Sequence, residues 1–493
     1  MSKLKAQIEK AIQGQRALIY VLCSEETRIL PILEQLSSGR SCNFETWSCF
    51  NGLSKTGKPD ETKDPSAAVK AIIDGGKKGI YAFQDLAEYI EQSEVKRALR
   101  EFNYSKTGGI DQFLFIISPE LILPESLRED VHLITVLPPD DDEIAAEFSR
   151  IRAAYPNSKI PEEFNTEIML ALKGLSISGI DSILHRIFKN DRTEREVIFN
   201  EIFDEKESIV KKTGYLEFIP PRELLGNVGG LGNLKDWLIK REKVFTKEAV
   251  DAGISPPKGL LVMGVSGCGK SLAVKTVSSL WKLPLFRLDM NLIFSGLYGN
   301  PEATFHKALQ TLNAVAPVIL WIDEIENALG LEEAGGLSIS SHIFSSFLTW
   351  MQEKPPLIFI AATANKIQAL PAEIIRKGRF DQVFFVDLPD EQERREIFTI
   401  YLKKYSDNIA QFDLKMLSIM TNGWNGAEIA QIVAAARTDA HYEKRLFTQG
   451  DITANINITV PLSTTMEQQI KAIRNWALSR ATPASSNARI LRF

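Results

Sequence analysis

Residues 264–271 carry side-chain types that can bind a phosphate group. They read Gly-Val-Ser-Gly-Cys-Gly-Lys-Ser and fit the pattern G-x-x-x-x-G-K-[ST] at every fixed position. Glycines allow backbone N–H groups to surround phosphate oxygens, Lys270 can reach the β and γ phosphates, and the Ser271 hydroxyl can hold Mg²⁺. Apolar residues 259–263 predict a strand before the loop, and residues 272–280 predict a helix whose N-terminus favours anions. The predicted phosphate-binding positions are Gly264, Val265, Ser266, Gly267, Cys268, Gly269, Lys270, Ser271 and Leu272.

Two acidic residues, Asp323 and Glu324, follow a continuous apolar run at residues 318–322. Such a run predicts a buried parallel strand whose carboxyl end lines a binding site. Asp323 is predicted to hold Mg²⁺ through water, and Glu324 is predicted to polarise the attacking water in phosphoryl transfer. An apolar strand that ends in acids is common by itself, so this interpretation depends on the phosphate loop upstream.

A further apolar run, residues 357–364, ends at Asn365, which could orient the same water as Glu324. Arg376 and Arg379 follow in the short segment before the next predicted strand. Arginines at such a place can reach a γ-phosphate and stabilise the charge of the transition state. The alternatives are an ordinary polar loop residue at position 365 and two solvated surface charges.

The composition is that of a globular chain without a membrane or nucleic-acid signature. Its 493 residues allow two or more domains, and it is 44% hydrophobic and 25% charged. A net charge of -5 argues against nucleic acid as partner, no apolar run is long enough to span a membrane, and no secretory signal is expected. The cysteines, which lack a metal-binding spacing and are expected to be reduced, are Cys23, Cys42, Cys49 and Cys268. Oxidation or alkylation of Cys268 is expected to block the phosphate loop.

These motifs, in this order and at these spacings, resemble those of an AAA+ ATPase of the classical, hexameric remodelling type. The resemblance runs from about residue 228 to residue 436, and it includes the segments 227–231 and 426–429. It implies that the ligands are ATP and Mg²⁺. It also implies self-association into a ring, by analogy hexameric, that acts on a protein substrate which the sequence does not name.

The resemblance also assigns roles to individual residues. Val228 and Gly229 match the adenine pocket, and Gly426 and Ala427 match the start of a lid helix that closes over the adenine and ribose. Asn365 matches the sensor asparagine of the family. The residues to which the resemblance and the phosphate chemistry together give catalytic roles are Lys270, Glu324, Asn365, Arg376 and Arg379, the two arginines acting on the neighbouring subunit's nucleotide.

The chain departs from the family pattern in the loop expected to face the ring's central pore. The family has an aromatic residue, a hydrophobic residue and a glycine there, whereas this chain has Leu297 and Tyr298 in exchanged order before Gly299. Tyr298 could grip a polypeptide or pack against its own domain. Lys377 also stands where proline is usual.

The whole chain resembles the AAA family that is encoded in cyanobacteria and algal plastid genomes. That resemblance implies a location in the cytoplasm of a cyanobacterium or in the plastid stroma. A role in a photosynthetic setting is implied by the resemblance alone and not by any motif.

The first half of the chain repeats the order of the apolar strands of the second half without the phosphate loop. The strand at residues 17–22 leads into Glu25 and Glu26, and acids at this place disfavour an anion. Gln84 and Asp85 stand where the second half has its two acids. Each parallel is generic alone, but their common order predicts a first module that has the AAA fold and no nucleotide site.

The predicted fold class is α/β, with two tandem P-loop-type, AAA-like modules and a degenerate first module. Each module is a parallel sheet flanked by helices with a helical lid. The predicted segments are 1–205, the degenerate module; 206–225, a linker; 226–388, the ATPase core; 389–481, the helical lid and C-terminal helices; and 482–493, a disordered tail.

The leading functional hypothesis is an ATP-hydrolysing ring that remodels a protein or protein complex. The alternative is a nucleotide-dependent switch or assembly scaffold that never threads a substrate, which the altered pore loop and the inactive first module favour. A remodeller of nucleic acid is disfavoured by the acidic balance and by the lack of an aromatic and basic tract. A small-molecule kinase would leave Arg376 and Arg379 unexplained.

Overall fold

The computed structural model describes residues 3–54, 59–105, 111–190, 194–211, 214–245, 249, 252–295, 297, 299–328, 338–375, 378–405 and 408–486. Its contacts divide the chain into two compact units, residues 1–149 with 176–181 and residues 150–175 with 182–493. Each unit holds a mostly parallel sheet flanked by helices, which confirms the predicted α/β class. The division between the units falls inside helices Asp141–Ala154 and Ile177–Lys189. The predicted end of the first module at residue 205 stays a prediction.

The first unit is built on a sheet with an apolar centre. Its strands are β1 (Leu18–Leu22), β2 (Asn43–Ser48), β3 (Gly52–Leu53), β4 (Gly79–Gln84), β5 (Gln112–Ser118) and β6 (Val131–Thr135). They form a six-stranded sheet in the order β3-β2-β4-β5-β1-β6, in which only β3 runs antiparallel to its neighbour. Both faces of β4 and β5 are buried, as continuous apolar runs predict. The described helices that lie wholly in this unit are Lys3–Gln13, Glu26–Gly39, Pro65–Gly75 and Ser93–Ser105.

The second unit is built on a larger sheet. Its strands are β7 (Leu216–Ile219), β8 (Gly259–Gly264), β9 (Leu285–Leu288), β10 (Val318–Ile322), β11 (Ile358–Ala364), β12 (Gln382–Val386) and β13 (Thr482–Pro483). They form a seven-stranded sheet in the order β13-β12-β8-β11-β10-β9-β7, in which only β7 is antiparallel to its neighbour. The carboxyl ends of β8, β10, β11 and β12 therefore meet at one edge of the sheet.

Helices cover the second sheet and form the lid. The described ones that lie wholly in this unit are Asn165–Leu172, Arg195–Lys211, Gly232–Ile239, Lys270–Trp281, Met290–Phe294, Pro301–Val315, Ile325–Ala328, Ser338–Glu353, Ala372–Ile375, Glu391–Lys403, Leu414–Met420, Gly426–Tyr442, Gln449–Ile458, Leu462–Thr465 and Glu467–Ala477. Asp390 and Asn425 begin Glu391–Lys403 and Gly426–Tyr442 with capping boxes, which satisfy N–H groups that the helix itself leaves unbonded. A separate apolar cluster holds these lid helices together.

The two sheets have the same central strand order, which supports the internal repeat. The order β2-β4-β5-β1-β6 in the first sheet corresponds to β9-β10-β11-β8-β12 in the second. Special backbone conformations recur as well: Asp85 and Glu324 have φ of 55° and 48°, and Gly174 and Gly423 have φ of 81° and 82°. Positive φ is uncommon in residues other than glycine, so its recurrence supports the alignment of Asp85 with Glu324.

The structure corrects one of the predicted segments, the disordered tail. The predicted linker, residues 206–225, contains the end of helix Arg195–Lys211 and the whole of β7, and its bounds stay a prediction. The predicted disordered tail begins as β13, and the N–H of Ala484 donates to Phe385 O at 2.8 Å. The tail is poor in apolar residues, but the backbone groups along the outer edge of β12 can pair with any extended segment. Residues 487–493 lie outside the described part of the chain.

Candidate nucleotide-binding site

The phosphate loop joins β8 to helix Lys270–Trp281, as the motif predicts. Gly264 has φ of 142°, and a Cβ there would lie 1.9 Å from Val386 O, so only glycine fits this close approach. Gly267 and Gly269 have φ of 75° and 89°, in the left-handed region. These conformations bring the loop to the helix N-terminus, where backbone N–H groups can bind an anion.

Lys270 is the cation of this loop and is 6% exposed. Its Nζ donates to Gly264 O at 3.0 Å and to Val265 O at 2.8 Å. Burial lowers the pKa of the Lys270 ammonium, while the surrounding acids oppose that shift. The charged amine is therefore poorly solvated, and a phosphate oxygen would be a favourable additional partner for it.

Ser271 and Asp323, the two residues predicted to hold the metal ion, lie next to each other. The Ser271 hydroxyl donates to Asp323 Oδ1 at 3.1 Å. Thr363 on β11 also donates its hydroxyl to Asp323 Oδ1 and accepts a hydrogen bond from the Glu324 N–H at 2.9 Å. One threonine thus fixes the side chain of one acid and the backbone of the next, a role that sequence reasoning missed.

Glu324 lies between two amide side chains. Asn365 Nδ2 donates to Glu324 Oε1 at 2.6 Å, and Asn327 Nδ2 donates to Glu324 Oε2 at 2.8 Å. The positive φ of Glu324 turns the chain sharply at the end of β10. The carboxylate is therefore held in one orientation, which the predicted role of polarising a water would require.

Glu326 is buried beneath the Asn365 loop. Its Oε1 accepts the N–H groups of Asn365 at 2.8 Å and Lys366 at 2.9 Å, and its side chain is 0% exposed. The buried carboxylate fixes the turn that carries Asn365. Sequence reasoning missed this residue, because the signal for it is only an acid two positions after Glu324.

An apolar surface lies opposite the phosphate loop. It includes Val228 and Gly229, as predicted, together with Ile397 and Tyr401 of helix Glu391–Lys403, which were not predicted. A Cβ on Gly229 would lie 2.6 Å from Ile397 Cγ1, so glycine allows this close packing. Ile397 and Tyr401 are four residues apart and therefore share one helix face, a spacing that could have identified them.

The lid helix starts beside the phosphate loop. The N–H of Ala427 donates to Gly267 O at 2.9 Å, and a Cβ on Gly267 would lie 2.8 Å from the Asn425 side chain. The start of helix Gly426–Tyr442 and the loop thus form one wall of the site, as the resemblance implied for Gly426 and Ala427.

These elements enclose a cleft of about 390 Å³. The predicted residues that line it are Val228, Gly229, Ser266, Gly267, Cys268, Gly269, Lys270, Ser271, Leu272, Asp323, Glu324, Asn365, Gly426 and Ala427. The lining residues that were not predicted are Asn227, Thr363, Ile397, Ile400 and Tyr401. Gly264 and Val265 line a second cavity behind the loop instead.

The structure describes one of the two paired arginines, Arg379. Arg379 lies between helix Ala372–Ile375 and β12, where its Nη1 donates to Glu373 O, and it does not line the cleft. Arg376 and Tyr298 lie outside the described residues. A role for Arg379 at this chain's own nucleotide therefore has no geometric support.

The residues present fit ATP and Mg²⁺. Positive-φ glycines and a buried lysine suit a polyphosphate, and the apolar surface beside Tyr401 suits a nucleobase. The Ser271 hydroxyl and the Asp323 carboxylate are oxygen ligands of the kind that Mg²⁺ prefers.

The first unit has a different arrangement at the corresponding loop. Glu25 Oε2 accepts the N–H of Ile177 at 3.2 Å, and its Oε1 accepts the N–H and the hydroxyl of Ser178 at 3.1 and 3.2 Å. Gln84 Nε2 donates to Glu26 Oε2. A carboxylate of the chain itself therefore occupies the helix N-terminus that corresponds to the lid contact of the second unit.

Comparison with known proteins identifies the family of this chain. Residues 260–388 match the model described as ATPase family associated with various cellular activities (AAA), and residues 4–136 match SpoVK-like AAA ATPase, N-terminal domain. The AAA domain-containing protein ycf46 of Pyropia yezoensis is 34% identical over 476 residues, which cover 94% of this chain and 96% of that protein. The chain belongs to the ycf46 family of AAA proteins. Its AAA domain implies that it binds a nucleotide.

Other relatives show how far the similarity extends. The ycf46 protein of Trieres chinensis is 31% identical over 501 residues, which cover 99% of this chain and 99% of that protein. Family members from red algae, a diatom and a cryptophyte are plastid-encoded. The proteasome-activating nucleotidase of Thermococcus kodakarensis is 28% identical over 264 residues, 51% of this chain and 65% of that protein. In the described part of the chain, every helix is too short or too polar to cross a membrane.

Proposed function

We propose that this protein hydrolyses ATP with Mg²⁺ and uses the energy, as an oligomeric ring, to remodel a protein or protein complex. The observation that carries the proposal is the meeting of Lys270, Ser271, Asp323, Glu324 and Asn365 in one cleft at the carboxyl edge of the second sheet.

Each residue has a definite task in this proposal. Lys270 and the loop N–H groups hold the β and γ phosphates, while Ser271 and Asp323 hold the metal ion. When bound, Mg²⁺ supplies positive charge that neutralises the phosphate oxygens. Glu324 polarises the attacking water, and Asn365 keeps that carboxylate in place. Catalysis then depends on positioning and electrostatic stabilisation.

The ring is proposed from the place of Arg379. An arginine that lies outside its own cleft can serve the cleft of a neighbouring subunit, where an arginine finger raises the rate by about three to five orders of magnitude. Members of the AAA family commonly form hexamers, which fits such shared sites. Arg376 is proposed to act with Arg379.

The first unit is proposed to be a platform without a nucleotide site. Glu25 places negative charge where a phosphate would bind and holds the helix that begins at Ile177. Such a module would keep one conformation through the nucleotide cycle. It is therefore suited to recognise a substrate or to hold the ring together.

A second candidate is a nucleotide-dependent switch or assembly scaffold that threads no substrate. Leu297, 76% exposed, stands where the family's pore loop has its aromatic residue, and this exchange favours a loop that does not grip a polypeptide. A Tyr298→Ala variant separates the two candidates. A motor would lose substrate remodelling and keep ATP hydrolysis, whereas a switch would lose neither.

The proposed location is the cytoplasm of a cyanobacterium or the plastid stroma. The plastid-encoded relatives support this location.

The first experiment is ATP hydrolysis measured against protein concentration, with Glu324→Gln as the inactive control. A specific rate that rises steeply with concentration, and is absent in the control, supports a shared site. A flat rate would contradict the ring.

Mixing two inactive variants tests the shared site directly. A Lys270→Ala chain lacks a working nucleotide site but supplies Arg379, whereas an Arg379→Ala chain has the complementary defect. The mixture is expected to recover activity. A mixture of Lys270→Ala with Glu324→Gln should stay inactive, because both lesions fall in the same site. Full activity of Arg379→Ala alone would argue against the proposal.

A further inference from the structure

The edge strand of the first sheet, β6, has an outer side with which none of the described residues pairs. The N–H of Val136 donates to Leu22 O at 3.0 Å. In a parallel pair the bonding residues alternate, so the N–H and C=O groups of Leu133 and Thr135 point away from β1. Leu133 is 42% exposed and Leu137 is 62% exposed. Apolar side chains therefore accompany these outward backbone groups.

The corresponding edge of the second sheet is covered. Phe385 pairs with Pro483 of β13, and Phe385 O accepts the N–H of Ala484. The residue of β6 that corresponds to Phe385 is Thr135. Thr135 pairs with Leu22 of β1, and Phe385 pairs with Met263 at the equivalent place on β8. In the second sheet, the edge that corresponds to β6 therefore binds an extended segment as a parallel strand.

The sequence of β6 does not protect the edge. It reads Val-His-Leu-Ile-Thr and contains none of the lysine, glutamate or proline residues that commonly prevent exposed edges from pairing. An edge of this kind either associates with another strand or is a site of aggregation.

Charge indicates what kind of strand would fit. Glu129 and Asp130 precede β6, and Asp140, Asp141 and Asp142 follow it. The nearby cations are Arg128, Arg100, which lies 4.0 Å from Asp130, and Arg28, which donates to Leu137 O, so the five acids outnumber these three arginines. Two copies of β6 paired antiparallel would bring the acids of one end against those of the other. A segment with basic ends would instead be attracted.

We propose that β6 docks an extended segment of a partner polypeptide, apolar in its middle and basic at its ends, which adds to the first sheet as a further strand. This inference rests on the proposed platform role of the first unit. It requires neither nucleotide nor hydrolysis, so a failure of the ATPase proposal and a failure of this one can be told apart.

The test uses the full-length protein and a fluorescent synthetic peptide with alternating valine and threonine between pairs of lysines. Fluorescence anisotropy reports the affinity without nucleotide. Thr135→Pro removes one outward N–H and is expected to weaken binding about tenfold. Thr135→Val keeps the N–H and the side-chain shape, so its affinity should equal that of the unaltered protein. Glu324→Gln should also bind normally.

Changes in the peptide keep the proposal testable if Thr135→Pro fails to fold. Methylation of alternate peptide nitrogens should abolish binding, and glutamates in place of the lysines should weaken it at least about tenfold. Equal binding of the methylated and unmethylated peptides would overturn strand addition. If the glutamate peptide binds as tightly as the lysine peptide, the charge preference is overturned. If the unaltered protein forms a dimer that only Thr135→Pro abolishes, the occupant of the edge is a second copy of this chain instead.

Discussion

Asn365 Nδ2 lies 2.6 Å from Glu324 Oε1, which joins two residues 41 positions apart in the sequence across the ends of neighbouring strands. Parallel strands bring them together, since β10 and β11 are paired along their whole shared length. The contact makes Asn365 a positioning residue for the carboxylate that is proposed to polarise water.

We expect Asn365→Ala to lower kcat for ATP hydrolysis about 100-fold, because the carboxylate loses one of its two amide partners at the strand end. Nucleotide affinity should change little. Steady-state hydrolysis and binding of a fluorescent ATP analogue measure the two effects. The matched control is Asn327→Ala, which removes the other amide from the more exposed side. Equal losses in both variants would contradict a special role for Asn365.

Glu25→Ala is expected to destabilise the first unit by about 1–2 kcal/mol, because helix Ile177–Lys189 loses the carboxylate bound to its N-terminus. Amide hydrogen exchange at Ile177 and Ser178 should be faster in this variant than in the unaltered protein. Glu34→Ala, an exposed site on helix Glu26–Gly39, is the control and should change neither quantity. Unaltered exchange in Glu25→Ala would show that the carboxylate does not hold this helix.

Cys268 is expected to react slowly with iodoacetamide. Burial raises the pKa of its thiol to about 12, against the partly compensating charge of Lys270. Since only the thiolate attacks, labelling should stay slow at neutral pH and accelerate as the pH rises towards that pKa. Mass spectrometry should find the exposed Cys49 labelled first. Fast labelling of Cys268 at neutral pH would contradict a raised pKa.

Once Cys268 is alkylated, ATP binding should be lost, because the added group would lie in the phosphate loop. Cys268→Ser should bind ATP normally and resist this inactivation. Full ATP binding by the alkylated protein would contradict the predicted steric block.

Lys206→Met is expected to raise the free energy of unfolding by on the order of 2 kcal/mol near neutral pH. The Lys206 side chain is 0% exposed, its Nζ donates to Pro317 O at 3.4 Å, and burial lowers its pKa to about 7. In the unfolded chain the pKa returns to about 10.4.

The pH dependence of this effect has a definite sign. Between the folded and the unfolded pKa of Lys206, the unfolded state binds more protons, so the stability of the unaltered protein should rise with pH. The advantage of Lys206→Met should therefore be largest at or below about pH 7 and shrink as the pH approaches 10. Urea unfolding at several pH values measures it, with the exposed Lys211→Met on the same helix as control. A constant difference across this range would contradict the lowered pKa.

The sequence by itself determined the local elements of this protein. The glycines and Lys270 of the phosphate loop predicted their own strand, turn and helix, because a short motif between two apolar segments specifies its backbone locally. The apolar runs before Asp323 and Asn365 predicted buried strands whose ends meet at one sheet edge. Their common order in both halves also predicted two related sheets, and the strand order bears this out.

Only the tertiary structure decided which distant groups complete these elements. Thr363 binds the Asp323 side chain and the Glu324 backbone, and Glu326 binds the backbone of Asn365. Tyr401 reaches the cleft from a helix beyond the sheet. The tail became β13 because an open strand edge was available to it, and Glu25 met Ile177 across 152 positions of sequence. Such contacts depend on how packed elements lie in space, and neither periodicity nor spacing along the chain carries that information.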